Sequence, residues 1–143
     1  VTSVTLSILG DPRGKGAARA TVRGSFGSIY KDPATRAYER LFSTAARVKM
    51  GSAPPFEGPL LLEMVAYFPI VKSSRKRDIP AMIEGWIRPT KKPDLSNILK
   101  SAEDGLKGIV FVDDAQVVEI RTRKVYAHEP RVWIRITEWS PTQ

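Results

Sequence analysis

The chain has 143 residues, a net charge of +8, one histidine and no cysteine. That length supports one domain, spanning 1–143, with a core of its own. The missing cysteines exclude disulfides, thiolate zinc sites and cysteine nucleophiles, and a lone His128 excludes multi-histidine metal sites.

The first predicted element is a half-buried strand, because Val4-Thr5-Leu6-Ser7-Ile8-Leu9 alternates apolar and polar residues. Residues 10–31 read as a long basic, glycine-rich loop in which Gly10, Gly14, Gly16, Gly24 and Gly27 interleave with Arg13, Lys15, Arg19 and Arg23. Glycine lets backbone approach a ligand and the cations suit phosphates, so two readings stand: a phosphate-backbone contact or plain disorder. It is not a Walker A loop, since no Gly-Lys-Ser/Thr follows at the required spacing.

Asp32-Pro33 is a helix start, with Asp as N-cap and Pro in the first position. The helix is expected to run to Met50, with Tyr38, Leu41, Phe42 and Ala45 near its buried face and Gly51 beyond its end. Residues 60–68 form a mostly apolar run, read as a central strand that Pro69 ends. Between Val71 and Trp86 an excursion carries Arg75, Lys76 and Arg77, equally a solvated turn with a short helix or a DNA contact. From Asp94 or Leu95 to Leu106 a helix fits, with Leu95, Ile98, Leu99, Ala102 and Leu106 in one arc and Asn97, Lys100 and Asp104 opposite. Gly105 and Gly108 are expected to weaken and then stop it. Two alternating strands follow at 117–126 and 131–138, with Val118 and Ile120 on one face of the first and Val132, Ile134 and Ile136 on one face of the second; residues 127–130 are expected to join them as a hairpin.

Charge is uneven along the chain. The Lys/Arg surplus is +6 over residues 1–50, +3 over 51–100 and −1 over 101–143. One reading is a solvated basic face; the sharper one is a phosphate-backbone partner. No apolar run approaches a membrane span, and the N-terminus lacks a signal-peptide pattern, so no membrane association is expected.

Within this basic chain, Lys92-Pro93-Asp94-Leu95-Ser96-Asn97-Ile98-Leu99-Lys100 and Val112-Asp113-Asp114-Ala115-Gln116-Val117 set acidic side chains at the edges of apolar elements. Carboxylates inside a basic surface repel a polyanion unless a divalent cation sits between them, which is what a magnesium-dependent nuclease needs. Each acid also has a plainer reading: Asp94 as a helix N-cap, Asp113-Asp114 as a turn, and Lys100 as a solvent-facing lysine. With oxygen ligands only, Mg²⁺ is favoured and Mn²⁺ is the alternative.

These segments, with Asp104-Gly105-Leu106, resemble the signature of RusA-type endodeoxyribonucleases, the Holliday-junction resolvases of bacteriophages and prophages. Gly14-Lys15-Gly16-Ala17-Ala18-Arg19 and Lys31-Asp32-Pro33-Ala34-Thr35-Arg36-Ala37-Tyr38-Glu39 are similar to the phage branch, so the resemblance touches most of the chain in the family's order. It implies a small α/β (α+β) subunit, a mixed sheet of about four strands with two main helices on it, working as a homodimer. The implied activity is paired, symmetric, Mg²⁺-dependent nicking of four-way junction DNA in recombination and repair, in the cytoplasm of a bacterial host carrying a phage or prophage. Carried onto this chain, Asp94 and Asp114 are the metal ligands, with Asp113 beside them as a ligand or ligand-orienting residue. Lys100 stabilises or positions the scissile phosphate, and Asn97 holds a carboxylate or a water. Arg13, Lys15, Arg19, Arg23, Arg75, Lys76, Arg77, Lys91 and Lys92 track the DNA backbone. One departure stands out. Ser96 occupies a position where the family often has a second aspartate, which keeps open a weakly active or non-catalytic junction-binding protein unless Glu103 or Asp104 compensates. A nuclease acting on flaps or forks is a third reading.

Overall fold

The computed structural model describes residues 2–24 and 26–142, with only the backbone of Arg23. Six strands and three α-helices appear in the order β1 (Ser3–Leu9), β2 (Arg19–Arg23), β3 (Phe26–Tyr30), α1 (Pro33–Met50), β4 (Leu60–Pro69), α2 (Ile79–Glu84), α3 (Leu95–Leu106), β5 (Val117–Ala127) and β6 (Arg131–Glu138). Four strands form one mixed sheet in the order β1-β6-β4-β5, and β2-β3 form a separate antiparallel pair. The class is α+β, as expected: a four-stranded sheet with α1 and α3 against one face.

The sheet face under the helices follows from strand alternation. Val4, Leu6 and Ile8 of β1, the even-numbered residues of β4, and Val132, Ile134 and Ile136 of β6 meet Tyr38, Phe42, Ala46 and Met50 of α1 and Ile98, Ala102 and Leu106 of α3. The opposite face carries long side chains that shield the sheet. Arg135 pairs with both carboxylate oxygens of Glu63, and Arg131 stacks 3.7 Å from the centroid of the Tyr67 ring.

The expected hairpin of the last two strands does not form. β4 lies between β5 and β6, pairing parallel to β5 and antiparallel to β6. β4 is apolar on both faces, with Leu61 and Val65 buried as well as the even-numbered residues, so it gains most from a neighbour on each side. The segment holding α2 and α3 is the crossover that a parallel β4-β5 pair requires. β5 is consequently an edge strand. Val118 and Ile120, which share one face of this strand, are 58% and 45% exposed.

Residues 10–31 are not wholly loop. Arg19–Arg23 pairs with Phe26–Tyr30, and Gly24 at φ 60° sits where the chain reverses. Apart from that of Arg23, which is not described, the side chains of both strands are exposed.

Both main helices are rolled relative to the arcs expected. On α1 the buried positions are Thr35, Tyr38, Glu39, Phe42, Ala46 and Met50, while Leu41 is 49% exposed. On α3 they are Ile98, Ser101, Ala102, Gly105 and Leu106, with Leu95 and Leu99 only half-buried. The cause is a close approach of the two helices. A Cβ on Gly105 would lie 2.6 Å from the Glu39 carbonyl oxygen and 2.7 Å from the Phe42 Cβ, and the Ser43 hydroxyl donates to the Gly105 carbonyl at 2.7 Å. Gly105 therefore sits inside the helix as a contact point rather than weakening its end; Gly108, at φ 83°, lies just beyond it.

Candidate nuclease site on the third helix

The Asp32 carboxylate accepts from Thr35 N–H at 3.2 Å and from Arg19 Nε at 2.7 Å, so it starts α1 and anchors β2 together. Lys31 then pairs with Glu39 of α1 at 2.6 Å and lies 3.9 Å from Asp104 of α3, which also holds Lys15 at 2.7 Å. Four charges thus fasten the glycine-rich segment across both helices. Gly14 fits the resulting gap, where a Cβ would stand 3.0 Å from the Pro93 Cβ and 3.1 Å from the Asn97 Cβ. The basic segment is held over the head of α3, beside Asp94 and Asn97.

Asp94 occupies the N-cap position of α3, but its side chain makes no capping bond. It is exposed and has no ion pair among the described residues, so the capping reading is not the one the geometry follows. Lys100 is exposed on the same helix, while Asn97 is half-buried against Gly14. Counting about 100° per residue, Ser96, Glu103 and Lys107 share one stripe, Asn97 and Asp104 another, and Lys100 lies between them.

The turn bearing the paired acids faces the first stripe. Lys107 pairs with Asp113 at 3.0 Å. That ammonium first, with the Ala115 N–H and the neighbouring Asp114 carboxyl after it, holds Asp113 below the usual carboxylate range. Asp113 also forms a capping box with Gln116. Asp114 is half-buried and has no ion pair among the described residues. The Glu103 carboxyl is pushed up, chiefly by burial and then by the charge of Asp114. The two neighbours thus have different jobs: Asp113 shapes the turn and pairs with Lys107, and Asp114, which also bears on Asp113, acts on Glu103.

Gln116 is what holds the turn in place. Its Oε1 accepts from Val112 N–H at 2.8 Å and Asp113 N–H at 2.9 Å, and its Nε2 donates to the carbonyls of Phe56 at 2.8 Å and Gly58 at 3.0 Å. Gln116→Ala is expected to cost about 2 kcal/mol, since four bonds of roughly 0.5–1.5 kcal/mol net are lost from a partly exposed site where water replaces some. Urea unfolding of the variant checks this.

The acids do not close into a cage. Asp113 pairs with Lys107 and the charge of Asp114 acts on Glu103, while roughly 13 Å of helix axis separates the levels of Asp94 and Glu103. Among the described residues, no three Asp, Glu or His side chains gather as a metal-holding group. The donor chemistry still fits a hard cation, because Mg²⁺ is commonly bound through one or two carboxylates plus substrate phosphates and waters. Of the acids along this face of α3 and its facing turn, Asp94, Glu103 and Asp114 have no ion pair among the described residues.

Residues 10–137 match the family described as Endodeoxyribonuclease RusA. The chain belongs to the RusA endodeoxyribonuclease family. It is 31% identical over 141 residues to the uncharacterized protein YqaN of Bacillus subtilis (strain 168), covering 96% of this chain and 97% of that one. It is 30% identical over 81 residues to the crossover junction endodeoxyribonuclease rusA of Lactococcus phage r1t, covering 56% of this chain and 55% of that one.

The cations expected to track the DNA backbone divide into two groups. Lys15 and Arg19 are engaged internally with Asp104 and Asp32. Arg13, Arg75, Lys76, Arg77, Lys91 and Lys92 are exposed, and the Arg23 side chain lies outside the described residues. Of the two acids able to offset Ser96, Asp104 is taken by Lys15, whereas Glu103 shares the stripe of Ser96 and lies near Asp114. No helix among the described residues is long and apolar enough to cross a membrane.

Proposed function

We propose that this RusA-family chain is a divalent-metal-dependent endodeoxyribonuclease that resolves Holliday junctions by paired symmetric nicks in recombination and repair. It acts as a homodimer in the cytoplasm of a bacterial host carrying a phage or prophage, with Mg²⁺ as the ion and Mn²⁺ as a substitute. The observation that carries this reading is a family match over 10–137 on a strongly basic protein, in which Asp94 and Asp114 have no ion pair among the described residues and Lys100 is exposed.

When bound, the ion supplies Lewis-acid neutralisation of the phosphate and activation of the attacking water. Asp94 and Asp114 would be the hard oxygen donors available to hold it. The Lys100 ammonium faces the substrate and offsets charge that develops on the phosphate in the transition state. Asn97, fixed against Gly14, orients a carboxylate or a water. Asp113 and Gln116 hold the turn so that Asp114 keeps its place. Water as nucleophile requires neither a cysteine nor a histidine in this site.

A labelled four-way junction incubated with Mg²⁺ is expected to yield symmetric nicks that EDTA abolishes. Binding without nicking across Mg²⁺ and Mn²⁺ concentrations would favour the non-catalytic reading that Ser96 keeps open, and faster cutting of flaps or forks would favour the third. Because exposed cations meet phosphates, junction affinity is expected to fall about 10²-fold or more between about 50 and 200 mM salt. A flat response in a binding titration would remove the basic surface from the account.

A further inference from the structure

Trp86 is 82% exposed, an unusual setting for an indole. It is nevertheless held on rigid backbone. α2 ends at Gly85, whose φ of 89° turns the chain back, and the N–H groups of Trp86 and Ile87 both donate to the Ala81 carbonyl, at 2.9 and 3.2 Å. Buried Met82 seats α2 on the fold. Arg88 fastens the turn from the other side, donating through Nε to Gly85 O at 2.9 Å and through Nη1 to Lys124 O at 3.4 Å on β5. Lys124 in turn donates to Lys91 O at 2.6 Å. An apolar ring is therefore presented to solvent on a braced turn, with half-exposed Ile83 and Ile87 beside it in the chain.

The surroundings select the occupant. Residues 75–92 hold six Lys/Arg against two Asp/Glu, and Arg75, Lys76, Arg77, Arg88, Lys91 and Lys92 are all exposed. An aromatic face set among cations matches the stacking-plus-phosphate chemistry of unpaired nucleic acid better than that of a neutral protein partner. The chain also runs from Trp86 through Lys91 and Lys92 to Asp94, so the Cα of Trp86 is at most roughly 29 Å from the head of α3. Four-way junctions differ from duplex in having bases at the branch point that can leave the stack.

We propose that Trp86 is a stacking platform for an unpaired nucleobase at the branch point, and that it gives the protein its preference for junction over duplex. This rests on the junction-binding reading above.

The test measures affinity for a four-way junction and for a duplex of the same arm sequence, using wild type, Trp86→Ala and Trp86→Phe. Trp86→Ala is expected to weaken junction binding about tenfold while duplex binding stays within about twofold, and Trp86→Phe should recover part of the loss. A 2-aminopurine placed at the branch point should be quenched by wild type and not by Trp86→Ala. Equal losses on both DNAs, or no loss on either, would overturn the proposal; the latter would leave the patch to a protein partner. A wild-type protein with no preference for the junction overturns both readings, whereas a preference that survives in Trp86→Ala overturns this one alone.

Discussion

Asp94→Asn and Asp114→Asn are each expected to slow junction nicking about 10³-fold or more while leaving junction binding intact. Asparagine keeps the size of aspartate but removes the negative charge that a hard cation requires. Neither carboxylate has an ion pair within the described residues, so the folded state loses little by the change. Binding should hold or tighten, because each substitution removes one negative charge from a surface that meets a polyanion. Asp113→Asn is the contrasting case. Its carboxylate serves Lys107 and the turn, so a smaller loss of rate with a small loss of stability is expected. Single-turnover cleavage beside a binding titration separates the three variants. Equal effects at Asp113 and Asp114 would contradict the division of labour drawn from the geometry.

Gly105→Ala is expected to destabilise the protein by about 3 kcal/mol. Alanine is the better helix former by about 1 kcal/mol, which would favour the variant at an open position. Here the added methyl meets the Glu39 carbonyl oxygen at 2.6 Å and the Phe42 Cβ at 2.7 Å, so α1 and α3 must separate along their buried seam. Separation also strains the Ser43–Gly105 bond and the contacts of Phe42, which has no exposed surface. Overpacking of this kind outweighs the propensity gain. Gly58→Ala serves as the control, because nothing lies within 4 Å of its Cβ position. A urea midpoint that falls for Gly105→Ala and stays unchanged for Gly58→Ala is the expected result. Wild-type stability for both would mean that the helices do not meet as closely as described.

Much of the framework was legible because its signals are local. Asp32-Pro33 and Gly51 bracket α1, and the same residues bound it in the structure. The alternation in β6 marks its buried face, and the apolar run of β4 marks it as a central strand. Two other features were not legible. The β2-β3 pair lies in a stretch whose glycines and cations match a loop, and no burial pattern marks its strands. The position of β4 between β5 and β6 depends on its two apolar faces competing for neighbours, whereas a short connection and two alternating strands look locally like a hairpin.

The site divides in a similar way. Asp94 and Asp114 stand out as acids in a basic chain and take their roles, with Lys100, from the family resemblance; neither acid has an ion pair among the described residues. The supporting parts were harder to foresee. Lys15 meets Asp104 across 89 positions of sequence, and Gln116 bonds to residues about 60 positions away, so neither pairing leaves a local trace. In the sequence Gln116 is only part of a motif; its four bonds supply the physical reason for it. Glu103 gained significance from its shared stripe with Ser96 and its proximity to Asp114, which helical periodicity alone does not connect.

The most direct test of the central claim is a structure of the protein with a four-way junction and Mn²⁺, located by its anomalous scattering. Manganese density is expected at the scissile phosphate, contacted by an oxygen of Asp94 or of Asp114. Manganese absent from that phosphate, or bound there with both carboxylates turned away, would contradict it.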